Sequence, residues 1–139
     1  MFTRSPDTWT RLAAEVRAAA EALAANQGDQ QRSSAYRELI ETIFSTEWHA
    51  MLEELKESEN AESIDACIDF LVADPMCFRS GYEKEKVCRL LSRISLSPAQ
   101  KQRLQPAVEY VLQRAPRVGR EMKRWQQLEK SMQDEQQHS

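Results

Sequence analysis

Tyr36-Arg37-Glu38-Leu39-Ile40-Glu41-Thr42-Ile43-Phe44-Ser45-Thr46-Glu47-Trp48-His49-Ala50-Met51-Leu52-Glu53-Glu54-Leu55 is the stretch that decides the fold class. Its apolar side chains (Tyr36, Leu39, Ile40, Ile43, Phe44, Trp48, Met51, Leu52 and Leu55) recur at three- and four-residue steps. That spacing is the turn of an α-helix with one covered face, not the two-residue alternation of a strand. Two readings fit: one long helix over about 34–58, opened by Ser33-Ser34, or two helices broken near Ser45-Thr46. The unbroken phase favours one helix, although Thr42, Ile43 and Thr46 weaken its middle.

The same period extends outward on both sides. Toward the N-terminus, Ser5-Pro6-Asp7 reads as a helix start: a capping hydroxyl, proline in the first turn, then an acid facing the positive helix end. Trp9, Leu12, Ala13, Val16, Ala19, Ala20 and Leu23 form its apolar face, and Gly28 supplies the stop. Toward the C-terminus, Asn60 caps a helix carrying Ile64, Cys67, Ile68, Leu71 and Val72, which Asp74-Pro75 ends. Ser80-Gly81-Tyr82-Glu83 reads as a capping box before Val87, Leu90, Leu91 and Ile94. Ser97-Pro98-Ala99-Gln100 is a second box, before Leu104, Val108, Val111 and Leu112, with a kink or short break expected at Pro106. Val118, Met122, Trp125 and Leu128 mark a last amphipathic helix, and from Ser131 the chain reads as a polar, disordered tail.

Composition agrees. Gly and Pro total 8 of the 139 residues, against an average near ~12%. Ala (16) and Leu (12) are abundant, while Val, Ile and Thr together number 16, a thin stock for a sheet. Mean hydropathy is -0.67, and no apolar run reaches the length of a membrane span. The expected architecture is all-α: six to seven antiparallel helices in one domain over 1–130, with a tail at 131–139. Three cysteines without framework spacing and an N-terminus without an apolar segment point to free thiols and a cytoplasmic location.

Charge is divided unevenly. Residues 1–78 hold 6 basic and 15 acidic side chains, a net of -9, whereas 79–130 hold 13 basic and 5 acidic, a net of +8. The cations thicken at Arg114, Arg117, Arg120, Lys123 and Arg124, and Arg117, Arg120 and Arg124 share one helical face. Such a face suits an acidic partner, phosphate or nucleic acid; equally, the basic half can pack beside the acidic half or be solvated.

Catalytic chemistry finds few residues to use. His49 and His138 are the two histidines, no Cys-x-x-Cys occurs, and Cys67, Cys77 and Cys88 lie ten and eleven residues apart. His49, with Glu53 one turn on, reads as a partly buried structural histidine rather than a base. Most of the carboxylates fall on the polar sides of the stripes, and three glycines cannot build a phosphate loop. No catalytic residue, metal or cofactor is expected. Around Arg79-Ser80-Gly81, the sequence reads either as an anion-binding helix start or as a capped turn whose Phe78 and Tyr82 plug the core.

Phe70-Leu71-Val72-Ala73-Asp74-Pro75, then Arg79, then Val87, Leu90, Leu91 and Ile94 resembles one unit of a HEAT-type helical repeat, over about residues 64–94. The stretch between Arg79 and the second apolar face is several residues longer than in that pattern, and no second copy follows. The resemblance implies a short right-handed helical stack, as the alternative to an irregular bundle, whose surface binds partners, with no catalytic residues. The expected function is therefore a non-enzymatic protein-binding or adaptor module for a partner with an acidic patch. Its candidate contact residues are Arg117, Arg120, Arg124 and Trp125, with Arg79 and Tyr82 as a second group. Nucleic-acid binding by the basic C-terminal helices, an enzyme using His49 or the carboxylates, and a homodimer closed by Trp125 and Met122 are the alternatives.

Overall fold

The computed structural model describes residues 4–26, 28–76, 80–114 and 119–138, and among these the protein forms seven helices. They are α1 (Pro6–Ala25), α2 (Gln30–Ile43), α3 (Thr46–Leu55), α4 (Ala61–Ala73), α5 (Ser80–Leu91), α6 (Pro98–Arg114) and α7 (Gly119–His138). The all-α expectation holds. Arg79, Arg117, Cys77 and Phe78, which the sequence singles out, lie outside the described residues.

α4 is the most apolar of these helices and sits in the middle. Ile64, Ala66, Cys67, Ile68, Phe70 and Leu71 are all buried, so apolar groups cover most of its circumference. α1, α3, α5 and α6 pack against it, α2 packs on α1, and α7 packs on α5 and α6. Each Ile, Leu or Phe removed from water in this way contributes ~1.5–3 kcal/mol. Around Phe70 the aromatic rings of three other segments converge. Trp48 lies 5.0 Å from it, Trp9 5.3 Å and Phe44 5.7 Å, centroid to centroid, in tilted or edge-on geometry. Arg4 closes this end: its guanidinium sits 4.4 Å above the Trp9 ring and donates to the backbone carbonyls of Thr42 and Ile43. Cys67 and Cys88 are buried free thiols, and burial pushes the Cys67 thiol well above its ordinary pKa.

Local signals are realised at most helix ends. Ser5 Oγ accepts from Thr8 N, and Asn60 Oδ1 accepts from Glu62 N and Ser63 N. Ser97 and Gln100 make the reciprocal capping box expected of them, Ser97 N donating to Gln100 Oε1 at 2.9 Å and Gln100 N to Ser97 Oγ at 3.1 Å. Gly28 takes a φ of +90°, and α4 stops at Asp74, which adopts left-handed geometry (φ 50°) immediately before Pro75.

Four boundaries differ from the sequence reading. The helix favoured over 34–58 is two helices: Phe44 ends α2, and Ser45 caps α3 by accepting from Trp48 N. Ile43, Phe44 and Trp48 all reach the same core, so the unbroken phase recorded a shared interior rather than a continuous backbone. α2 also begins earlier, because Asp29, not Ser33, is its cap and accepts from Gln31 N and Arg32 N. α6 runs through Pro106 unbroken; Pro106 is exposed, where the lost amide hydrogen bond is open to water. Finally, α7 continues past Ser131 to His138. Met132 follows Leu128 by four residues and is buried, so it extends the apolar stripe beyond the boundary set by polarity, and Ser131 Oγ donates to Ser92 O at 2.8 Å.

Ile68 is fully buried on α4, whereas Val72 on the same helix is 48% exposed. Ile68→Ala is expected to lower unfolding free energy by ~2–5 kcal/mol, and Val72→Ala to change it by no more than ~0.5 kcal/mol, as read from urea midpoints. Asp29 has its carboxyl held below the ordinary range, first by the backbone amide of Arg32 and then by its charge, with the Gln31 amide also contributing. A depressed carboxylate stabilises above its unfolded pKa and loses that contribution as pH falls through its folded pKa. The difference in Tm between the natural chain and Asp29→Asn should therefore shrink as pH is lowered through the acid range, in thermal melts followed by circular dichroism.

Candidate functional site

The N-terminal turns of α5 and α7 meet at a glycine and a buried acid. A methyl group added at Gly81 would lie 3.0 Å from Glu121 Oε1, so a larger side chain at 81 would push into that carboxylate. Glu121 is 5% exposed, and its Oε2 accepts from Trp125 Nε1 at 2.9 Å. Trp125 is itself fully buried. This corrects its assignment as a partner anchor, and with it the dimer closed by Trp125: the indole on this helix belongs to the core, bonded one turn back to Glu121.

With Glu121 and Trp125 facing inward, Arg120, Lys123 and Arg124 line an open concavity of about 520 Å³ together with Glu85 of α5 and Gln127. Arg124 donates to Gln127 Oε1 at 2.9 Å, and its Nε stands 3.9 Å from Glu85 Oε1. Arg120 and Lys123 are exposed and have no carboxylate partner among the described residues. The concavity thus holds three cations against one acid at the positive end of α7. Arg120 and Arg124, placed on one face by their spacing, do share a site; Lys123, Glu85 and Gln127 join them, and only the helix–helix packing brings Glu85 there.

Tyr82 does not plug the core. It is 62% exposed on α5, with Lys86 Nζ 4.9 Å from its ring centre. Residues 82 and 85 are one turn apart, so Tyr82 stands on the α5 face that carries Glu85 toward the concavity.

The carboxylate of Glu83 is used differently from the capping box expected of it. It is buried, accepts from Trp48 Nε1 at 3.0 Å, and pairs with Lys86 Nζ at 3.1 Å. His49 is more exposed than expected, at 46% of its side chain, and its Nδ1 lies 3.9 Å from Glu83 rather than beside Glu53. Lys84 is fully buried, with Nζ 2.7 Å from Asp74 Oδ1 and 3.3 Å from the Met76 sulfur. Asp69, also buried, pairs with Arg103 of α6. Helical periodicity assigns faces but does not reveal which polar group a neighbouring helix covers. The one sequence signal available was position: Glu83, Lys84 and Glu121 each lie within a turn of a buried apolar residue. Among the described residues, no group of three or more His, Cys, Asp and Glu is placed to hold a metal ion, and no helix is long and apolar enough to cross a membrane.

The Lys84–Asp74 pair fastens α5 to the end of α4. Asp74→Asn preserves a side chain that tolerates left-handed backbone but leaves the buried ammonium without this carboxylate. It is expected to cost on the order of 3 kcal/mol, and Lys84→Met, which removes the charge that needs compensation, distinctly less; equilibrium denaturation of both variants checks the order. Comparison of the chain with protein-family models, with curated proteins and with solved structures finds no match in any of the three.

Proposed function

We propose that this chain is a non-enzymatic, cytoplasmic protein-binding module that receives an acidic patch of a partner protein in the concavity between α5 and α7. The observation that carries the reading is the pair of exposed cations, Arg120 and Lys123, standing beside Arg124 without carboxylate partners among the described residues. An acidic side chain or segment entering there gains two unopposed charges and bonds to a guanidinium whose donors are only partly used. Tyr82, exposed on α5 one turn before Glu85, offers an aromatic surface of the kind that anchors protein interfaces. The resemblance of residues 64–94 to a HEAT-type unit supports a role in partner binding, since such units present helical surfaces to other proteins. Arg79 and Arg117 extend the same basic region in sequence and are proposed as part of it.

A fluorescein-labelled peptide of alternating Glu and Ser tests this by anisotropy titration at several salt concentrations. Affinity should fall as salt rises, because the attraction lies between exposed charges. Arg120→Glu combined with Lys123→Glu should weaken it by at least about tenfold with an unchanged Tm, since both side chains are exposed. Unchanged affinity in the double variant overturns the proposal. So does tighter binding of a DNA duplex that the same reversal abolishes, which would assign the face to nucleic acid.

A further inference from the structure

A second surface, remote in sequence from α7, joins apolar exposure to unmatched positive charge. Among the described residues four large apolar side chains are exposed: Val72, Met76, Tyr82 and Tyr110. Val72 (48%) and Tyr110 (53%) line one open groove of about 380 Å³ formed by the end of α4, the middle of α6 and Arg17 of α1. Single exposed apolar residues are ordinary, but two large ones lining one groove, with Arg17 and Arg103 beside them, mark a contact surface. Ala73 and Ala107 are small and Pro106 is flat, so a rod-shaped ligand can lie close to the backbone here.

The charge of the groove selects the ligand. Arg17 lines it, is exposed, and has no ion-pair partner among the described residues. Arg103 lines it with 43% of its side chain exposed; it pairs with Asp69, and a guanidinium has five donors. The acid present, Asp74, is held by Lys84. Pro106 also lacks the amide that would satisfy the Gln102 carbonyl one turn back in α6, leaving an acceptor on the helix that borders the groove.

We propose that the groove between α4 and α6 docks an amphipathic acidic helix of a partner protein. Apolar side chains of that helix at three- and four-residue spacing cover Val72 and Tyr110, and its flanking Asp or Glu residues pair with Arg17 and Arg103. This surface is separate from the α5–α7 concavity, and neither reading depends on the other.

A phage-displayed random peptide library, selected against the immobilised full chain, is the probe, and enriched peptides are then titrated as fluorescein conjugates. The expected peptides carry Asp or Glu among helically spaced apolar residues and gain helical circular dichroism on binding. They lose at least about tenfold in affinity on Val72→Asp and on Arg17→Glu, and keep it on Arg120→Glu combined with Lys123→Glu. Val72 and Arg17 are exposed, so both variants should retain the helical spectrum of the natural chain. The proposal is overturned if no peptide is enriched, if the enriched peptides are basic, if Val72→Asp leaves affinity unchanged, or if the α7 reversal abolishes binding. It is also overturned if sedimentation shows a dimer that Val72→Asp dissolves, since a second copy would then be the occupant.

Discussion

A helix that carries Ile64, Cys67, Ile68, Phe70 and Leu71 around most of its girth has little surface to give to water, and the rest of the chain is arranged to cover most of it. α1, α3, α5 and α6 each contribute one apolar stripe to that task, while α2 and α7 cover the helices that do so. The arrangement explains why the individual helices can be short. α3 has ten residues and α5 has twelve, lengths at which an isolated helix in water is marginal, so their stability comes from packing rather than from propensity. Phe70 is the point where this dependence is most concentrated, because rings from α1, α3 and the α2–α3 junction all rest on it.

Charged groups inside the protein serve a different end. Glu83 joins α5 to the Trp48 indole of α3, Lys84 joins α5 to the end of α4, Asp69 joins α4 to α6, and Glu121 sits on Gly81 where α7 meets α5. Apolar contacts alone are tolerant of sliding, whereas a buried carboxylate accepts a bond only from a donor at one place. The first three contacts therefore define how the stripes are set against each other, while Glu121 is bonded within α7 to Trp125. That bond also decides the surface, since turning Glu121 and Trp125 inward leaves Arg120, Lys123 and Arg124 outward.

Helix class, the Ser5, Asn60 and Ser97 caps and the stop at Asp74-Pro75 were legible in the sequence because each depends on residues within one turn. The break at Ser45 was not, because a core shared by two helices imposes the same apolar period as one long helix. Met132 was hidden by the polar residues around it, although it stands seven residues beyond Trp125 on the same stripe. At the concavity, the like-charged pair Arg120 and Arg124 could be read from spacing, but Glu85 could not, since it reaches the site across a helix–helix contact. Trp125 misled for a related reason: an aromatic residue amid cations resembles an exposed anchor, and only its bond to Glu121 shows that it belongs inside. The α4–α6 groove joins Arg17 to residues more than fifty positions away, which no local pattern encodes.

The sequestering of Glu83 and Glu121 has an electrical consequence for the molecule as a whole. Both carboxylates come from the basic half of the chain, and each is bonded inward, Glu83 to Trp48 and Lys86 and Glu121 to Trp125, so neither lines the concavity beside Arg120 and Lys123. A chain whose formal charge is -3 therefore still presents a local cationic face over the start of α7. At low ionic strength the field of such a face extends beyond contact distance and favours encounters in which an anionic surface meets it first.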